Sequence, residues 1–123
     1  NCSNIEFVSL SKKYIVYNNA LFTSDKFKLV CYPAKYAIGE IHLPDETTTL
    51  ERGAFSGCDK LTDIHLHNVS VISKASFTNC NSLVSIYCSD LVAYIGEWAF
   101  AHCKNLKEIS VFKNCFILLI SMV

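Results

Sequence analysis

Apolar positions recur along this chain as a fixed phrase rather than with helical or simple alternating spacing. An aliphatic residue is followed four positions on by Ala-Phe or Ser-Phe, three later by Cys, and then by aliphatic residues three and six beyond the Cys, with mostly polar or small residues between. The phrase reads Leu50, Ala54-Phe55, Cys58, Leu61, Ile64, Leu66; then Ile72, Ser76-Phe77, Cys80, Leu83, Ile86, Cys88; then Ile95, Ala99-Phe100, Cys103, Leu106, Ile109, Val111. Phe55 to Phe77 is 22 residues and Phe77 to Phe100 is 23. A period in that range predicts a solenoid, because one such unit cannot bury its apolar face alone and stacked neighbours create a continuous core. Between Leu61 and Leu66, Ile64 and Leu66 alternate with Asp63 and His65. That is the signature of a short strand with one buried face, so the stacked repeats predict a parallel sheet. Phe55, Phe77 and Phe100 are expected to stack inside, one per coil. The pairs Val69 with Ile72 and Val92 with Ile95 are expected to turn the chain across the core.

A worn copy precedes these three. Ile38, Ile41 and Leu43 sit one period before Leu61, Ile64 and Leu66, with Tyr32 in the Phe slot and Lys35 in place of the Cys. Earlier still, Cys2, Ile5, Val8 and Leu10 repeat the spacing of Cys58, Leu61, Ile64 and Leu66, so the chain opens within a repeat and reads as a fragment of a longer array. Leu10 to Leu43 spans 33 residues, one period plus an insertion of ten. The insertion falls in residues 12–32, where three β-rich runs are punctuated by Asn18-Asn19 and Ser24-Asp25. Such punctuation predicts a small β-meander. With no Pro/Ser-rich linker or charge run to divide it, residues 1–123 are expected to form a single solenoid, the meander at 12–32 lying within it.

Composition narrows the partners. Lys and Arg total 11 and so do Asp and Glu, which leaves no electrostatic case for nucleic acid or an anionic membrane. Of the seven cysteines, Cys2, Cys58, Cys80 and Cys103 share one repeat slot. A small buried side chain suffices there, and Cys is often buried as a free thiol. Adjacent ladder members lie about 4.8 Å apart by strand spacing, so a disulfide is geometrically conceivable. Cys31, Cys88 and Cys115 lie off the ladder, and an odd total leaves at least one thiol unpaired in an isolated chain. After Val111 the phrase breaks, and residues 112–123 form an apolar terminal segment. It is much shorter than the roughly 20 residues a bilayer span needs. A final core strand, a cap and the start of a membrane span that continues further all remain open. Asn1-Cys2-Ser3 and Asn68-Val69-Ser70 match the glycosylation acceptor pattern, which has meaning only in a secreted chain.

The outward positions of the strands carry the candidate chemistry. Glu40, Asp63, Ser85 and Glu108 form one expected row, and His42, His65, Tyr87 and Ser110 the next, with His67, Ser89 and Phe112 at the rim. Exposed rings among acids suit protein recognition, in which aromatic anchors dominate. His42 and His65 beside Glu40 and Asp63 are the closest approach to a metal site or an acid/base pair. Polar residues are, however, the ordinary occupants of outward solenoid positions, so no metal, cofactor or catalytic residue is expected there. No Cys/His block at finger spacing, nucleophile elbow or phosphate-binding Gly loop changes this. Trp98 and Tyr94 are expected to pack rather than to form an exposed patch.

The run Gly53-Ala54-Phe55-Ser56-Gly57-Cys58-Asp59-Lys60-Leu61-Thr62-Asp63-Ile64-His65-Leu66, with its two copies, resembles the BspA-type class of leucine-rich repeats. That unit is similar to L-x-x-I-x-L-P…V-x-x-I-G-x-x-A-F-x-x-C. The likeness covers nearly the whole chain up to Val111. His67 departs from it where a Pro like Pro44 is expected, Ser76 replaces Ala, and Thr47 fills an aliphatic slot. The expected fold is an α/β-type, strand-rich repeat solenoid with a parallel sheet on one face. The resemblance implies a non-enzymatic adhesin-like protein, at the cell surface or secreted, that attaches to host cells or matrix proteins. Ligands vary widely on such a fold. The alternative is an intracellular, cytoplasmic scaffold or effector built on the same solenoid.

Overall fold

In a solenoid of this kind the chain must return to equivalent positions every coil, and it does so along three sides. The computed structural model describes residues 12–110. The first side is a four-stranded parallel sheet of β4 (Gly39–His42), β6 (Leu61–His65), β8 (Ser85–Tyr87) and β10 (Glu108–Ser110). This is the sheet that the alternation at Ile64 and Leu66 predicts. The second side was not anticipated. It is a ladder of two-residue strands, β5 (Thr49–Leu50), β7 (Val71–Ile72) and β9 (Tyr94–Ile95), paired in parallel. Leu50, Ile72 and Ile95 point into the core from it, none more than 2% exposed.

The third side is made of turns that bond coil to coil. The amide of Phe55 donates to the Ser76 carbonyl at 2.7 Å, and that of Phe77 to the Ala99 carbonyl at 2.7 Å. Among the described residues there is no helix, which corrects the α/β part of the expected class. The cause lies in the backbone. Gly53, Ala75 and Trp98 occupy one repeat slot at φ 67, 58 and 57°, and Gly57, Asn79 and His102 another at φ 77, 62 and 60°. A left-handed residue ends a right-handed helix. The segment between the two slots is too short to nucleate one.

Before the coils, β1 (Tyr14–Tyr17), β2 (Ala20–Thr23) and β3 (Lys28–Cys31) run antiparallel in succession, and β3 joins β5 in parallel to extend the second sheet. The coil into which residues 12–32 were expected to be inserted involves Cys2 to Leu10, which lie outside the described residues, as does the segment 112–123. Phase shifts by one residue at Gly39, which pairs with Leu61 while Glu40 pairs with Asp63, so that Thr62 is the extra residue of a bulge. In consequence Ile38 does not fill the slot of Leu61. It is 58% exposed, while Ala37 is buried.

The core is a column of aromatic rings. Tyr32, Phe55, Phe77 and Phe100 stack in order with centroids 5.3, 5.0 and 5.7 Å apart. Leu61, Ile64, Leu66, Leu83 and Ile86 close around them. The two polar departures from the repeat are satisfied internally: Thr47 donates to the Lys26 carbonyl at 2.9 Å and Ser76 to the Ser73 carbonyl at 2.6 Å. Trp98 and Tyr94 do not pack inside. They are 57% and 52% exposed, and the Lys74 ammonium lies 4.9 Å from the Trp98 ring centre.

Candidate functional site on the four-stranded sheet

Strand register assembles the outer face. Glu40 lies beside Asp63, Asp63 beside Ser85, and Ser85 beside Glu108, while His42, His65, Tyr87 and Ser110 follow one another in the neighbouring row. Exposure varies along the rows. Glu40, His42 and Glu108 are exposed, and Asp63, His65, Tyr87 and Ser110 are half-buried. Ser85 is buried, contrary to its expected outward exposure. It is a short side chain between two longer carboxylates in its row.

Parallel strands about 4.8 Å apart bring flat side chains at equivalent positions face to face. His42 stacks on His65 with centroids 4.0 Å apart and planes 4° from parallel, and His65 stacks on Tyr87 at 4.4 Å and 14°. Glu40, two residues before His42 on the same strand and so on the same face, bridges the two imidazoles. Its Oε2 is 3.0 Å from His65 Nε2 and its Oε1 is 3.6 Å from His42 Nε2. The hydrogen bond from His65 is the main reason the Glu40 carboxyl is held below its usual value, and the charges of both histidines act in the same direction. Asp63 stays apart from this cluster, accepting from the Thr62 hydroxyl at 2.8 Å.

His67, expected only at the rim, joins the cluster. It leaves β6 in a left-handed turn at φ 50°. Its Nε2 comes 3.1 Å from His42 Nδ1, and its Nδ1 is 4.0 Å from Asp45 Oδ1. The signal was present in the sequence as a histidine two residues after His65, but its inward turn depends on backbone geometry that spacing does not encode. The rim position Ser89 is half-buried and its hydroxyl accepts from the Leu91 amide at 3.1 Å. Phe112 lies outside the described residues.

Comparison with protein families matches residues 30–119 to the BspA type leucine rich repeat region (6 copies). The chain belongs to the BspA-type leucine-rich repeat family. Among solved structures it is similar to a leucine-rich repeat protein from Eubacterium ventriosum, with 25% identity, a TM-score of 0.77, and coverage of 82% of this chain but 27% of that one. It is also similar in fold to the pneumococcal vaccine antigen PcpA, with 18% identity, a TM-score of 0.63, and coverage of 84% of this chain and 31% of that one. The chain thus spans less than a third of the length of either. Among curated proteins none matches.

In this BspA-type chain the Phe and Cys of the repeat are mechanically linked. Cys58 Sγ donates to the Tyr32 carbonyl at 3.5 Å, Cys80 Sγ to the Phe55 carbonyl at 3.2 Å, and Cys103 Sγ to the Phe77 carbonyl at 3.0 Å. Each thiol therefore caps the carbonyl of the aromatic residue one coil earlier, a role beyond the space-filling expected of it. Among the described residues Cys58, Cys80 and Cys103 are free thiols, whereas Cys31 is disulfide-bonded. Burial, aided by the neighbouring Asp59 carboxylate, pushes the Cys58 thiol up to about 12. Hydrogen bonding with Cys103 and burial push Cys80 upward as well.

Proposed function

We propose that this chain is a non-enzymatic protein-binding module of an adhesin-like protein, at the cell surface or secreted, whose recognition surface is the outer face of the β4, β6, β8 and β10 sheet. The observation that carries this reading is the stacked, outward-facing ring row of exposed His42 and half-buried His65 and Tyr87. It is a flat, amphipathic strip of rings, the kind of side chain that anchors protein partners, and the carboxylates alongside suit the polar rim of an interface. The face is open. The side chains of His42 and Glu40 are 53% and 58% exposed, whereas acid/base and electrostatic catalysis draw their strength from water-excluded sites.

Surface location is proposed from membership of the BspA-type family and from the fold it shares with the pneumococcal vaccine antigen. Host-cell or matrix proteins are the proposed partners. Changing His65 and Tyr87 together to Ala should weaken binding to matrix glycoproteins at least tenfold, about 1.4 kcal/mol, with little change in the melting transition. Surface plasmon resonance, run with and without chelator, reads the effect. Full binding by that double variant would remove the sheet face from the function.

A further inference from the structure

We propose that Glu40, His42 and His65 form a binding site for a divalent transition-metal ion of the Zn2+ type. Three donor atoms of the kinds such an ion takes lie within 4.8 Å of one another. At metal–ligand distances of about 2.0–2.1 Å, the edges of a tetrahedral coordination shell are roughly 3.3–3.4 Å. The Glu40 carboxylate approaches both imidazoles near that length, with a different oxygen for each, Oε2 at 3.0 Å from His65 Nε2 and Oε1 at 3.6 Å from His42 Nε2. Two imidazoles and one carboxylate select zinc, copper, nickel or cobalt over calcium and magnesium, which take oxygen ligands.

Hydrogen bonding around the cluster prepares His42 for this role. His67 Nε2 and His42 Nδ1 lie 3.1 Å apart, so one donates to the other; with the His67 proton on Nδ1, the nitrogen 4.0 Å from the Asp45 carboxylate, His42 Nδ1–H is the donor. In that tautomer the His42 Nε2 lone pair faces Glu40 Oε1, whereas in the other His42 Nε2–H points at the carboxylate. Two lone pairs facing at 3.6 Å repel unless a proton or a cation lies between them. This is the arrangement in which an outer hydrogen bond fixes the tautomer of a ligating histidine. His67 is therefore a positioning residue. Three of the chain's four histidines meet in this patch.

Binding has a structural consequence. The lone pairs of parallel rings point side by side, so one ion cannot lie in the plane of both. The His42–His65 stack must therefore open for both rings to ligate one ion, and His42, its side chain 53% exposed against 25% for His65, is the less enclosed of the two. Three protein ligands leave a further position for water or for a donor carried by a partner. The site rests on donor geometry alone and does not require that the face bind protein.

Titration of the whole chain with Zn2+ by calorimetry, and with Co2+ by absorption spectroscopy, tests the site. Single-site binding is expected, with a Co2+ spectrum free of thiolate charge-transfer bands. His42→Ala, His65→Ala and Glu40→Gln should each weaken Zn2+ binding by roughly tenfold or more, with melting unchanged and with Tyr87→Phe behaving as the parent. His67→Ala should weaken it too, and His67→Gln, whose amide oxygen still accepts from His42, should restore it. No binding up to about 1 mM Zn2+, an affinity too weak to matter, would overturn the proposal. So would thiolate bands in the Co2+ spectrum, or equal affinity in any one of the three ligand variants.

Discussion

Phe77 is the most demanding test of how this solenoid holds together. It has no exposed surface, and its ring is covered on both faces, by Phe55 at 5.0 Å and Phe100 at 5.7 Å. Truncation to Ala removes the spacer between two rings whose backbones are fixed by coil-to-coil hydrogen bonds, from the Phe55 amide to Ser76 and from the Phe77 amide to Ala99. The gap cannot readily close, so the loss should combine transfer and cavity terms, about 3–5 kcal/mol. Stacking adds a second, sharper expectation. In a double-mutant cycle, Phe55→Ala and Phe77→Ala should couple by about 0.5–1.5 kcal/mol, as aromatic neighbours do. Phe55→Ala and Phe100→Ala, separated by the Phe77 ring, should be additive within roughly 0.5 kcal/mol. Urea melts of the single and double variants supply every number, with exposed Ser56→Ala as a control expected within about 0.5 kcal/mol of the parent. A loss at Phe77 near 1 kcal/mol, or equal coupling for the two pairs, would refute a stacked column.

Three further outcomes rest on the coil geometry. Cys58 and Cys80, fully buried and with the Cys58 thiol pushed up to about 12, should resist alkylation in the native state, while half-buried Cys103 reacts first; rapid native labelling of Cys58 or Cys80, read by mass spectrometry, would contradict their place in the core. A Cβ at Gly96 would fall 2.5 Å from the Lys74 amide nitrogen and 2.8 Å from the Ser73 carbonyl carbon, so Gly96→Ala should lose about 1–3 kcal/mol by pushing β9 off β7. At Gly57 there is open space but φ is +77°, and Gly57→Ala should lose about 1–2 kcal/mol from the backbone alone. Thermal melts compare them, and a silent Gly96→Ala would mean that the two coils are not in contact there.

Much of this was legible because a solenoid turns sequence columns into spatial rows. The Phe slot specified the aromatic column, including Tyr32 as its first member, and the positions flanking Ile41, Ile64 and Ile86 specified which outer residues meet. What escaped was whatever has no period of its own. Two-residue strands such as Val71–Ile72 are too short to alternate, so the second sheet left no pattern. Left-handed turns are suggested by Gly53 and Gly57, but their equivalents Ala75 and Trp98 are residues that seldom adopt that conformation, and so the absence of a helix among the described residues was concealed. A single extra residue at Thr62 shifted Ile38 out of the core, since spacing alone does not reveal which strand bears a bulge. The convergence of His67 on His42 depends on a turn angle at one residue.

The inner and outer rows obey the same stacking distance but answer to different requirements. Inside, a large apolar ring is needed in every coil because each coil must fill the space between its neighbours. Outside, folding asks only for side chains that tolerate water, and Ser110 meets that requirement in the row occupied elsewhere by His42, His65 and Tyr87. Three consecutive rings on the solvent face therefore exceed what the fold needs. Two of them, His42 and His65, also carry donor atoms in register with the carboxylate of Glu40. Substitution separates the two roles: a change in the inner row must lower stability whatever it does to binding, while a change at His42, His65 or Tyr87 should alter ligand affinity and leave the melting transition in place. A stability loss of core size at His65 would place that ring among the structural elements and remove the physical basis for a recognition surface on this sheet.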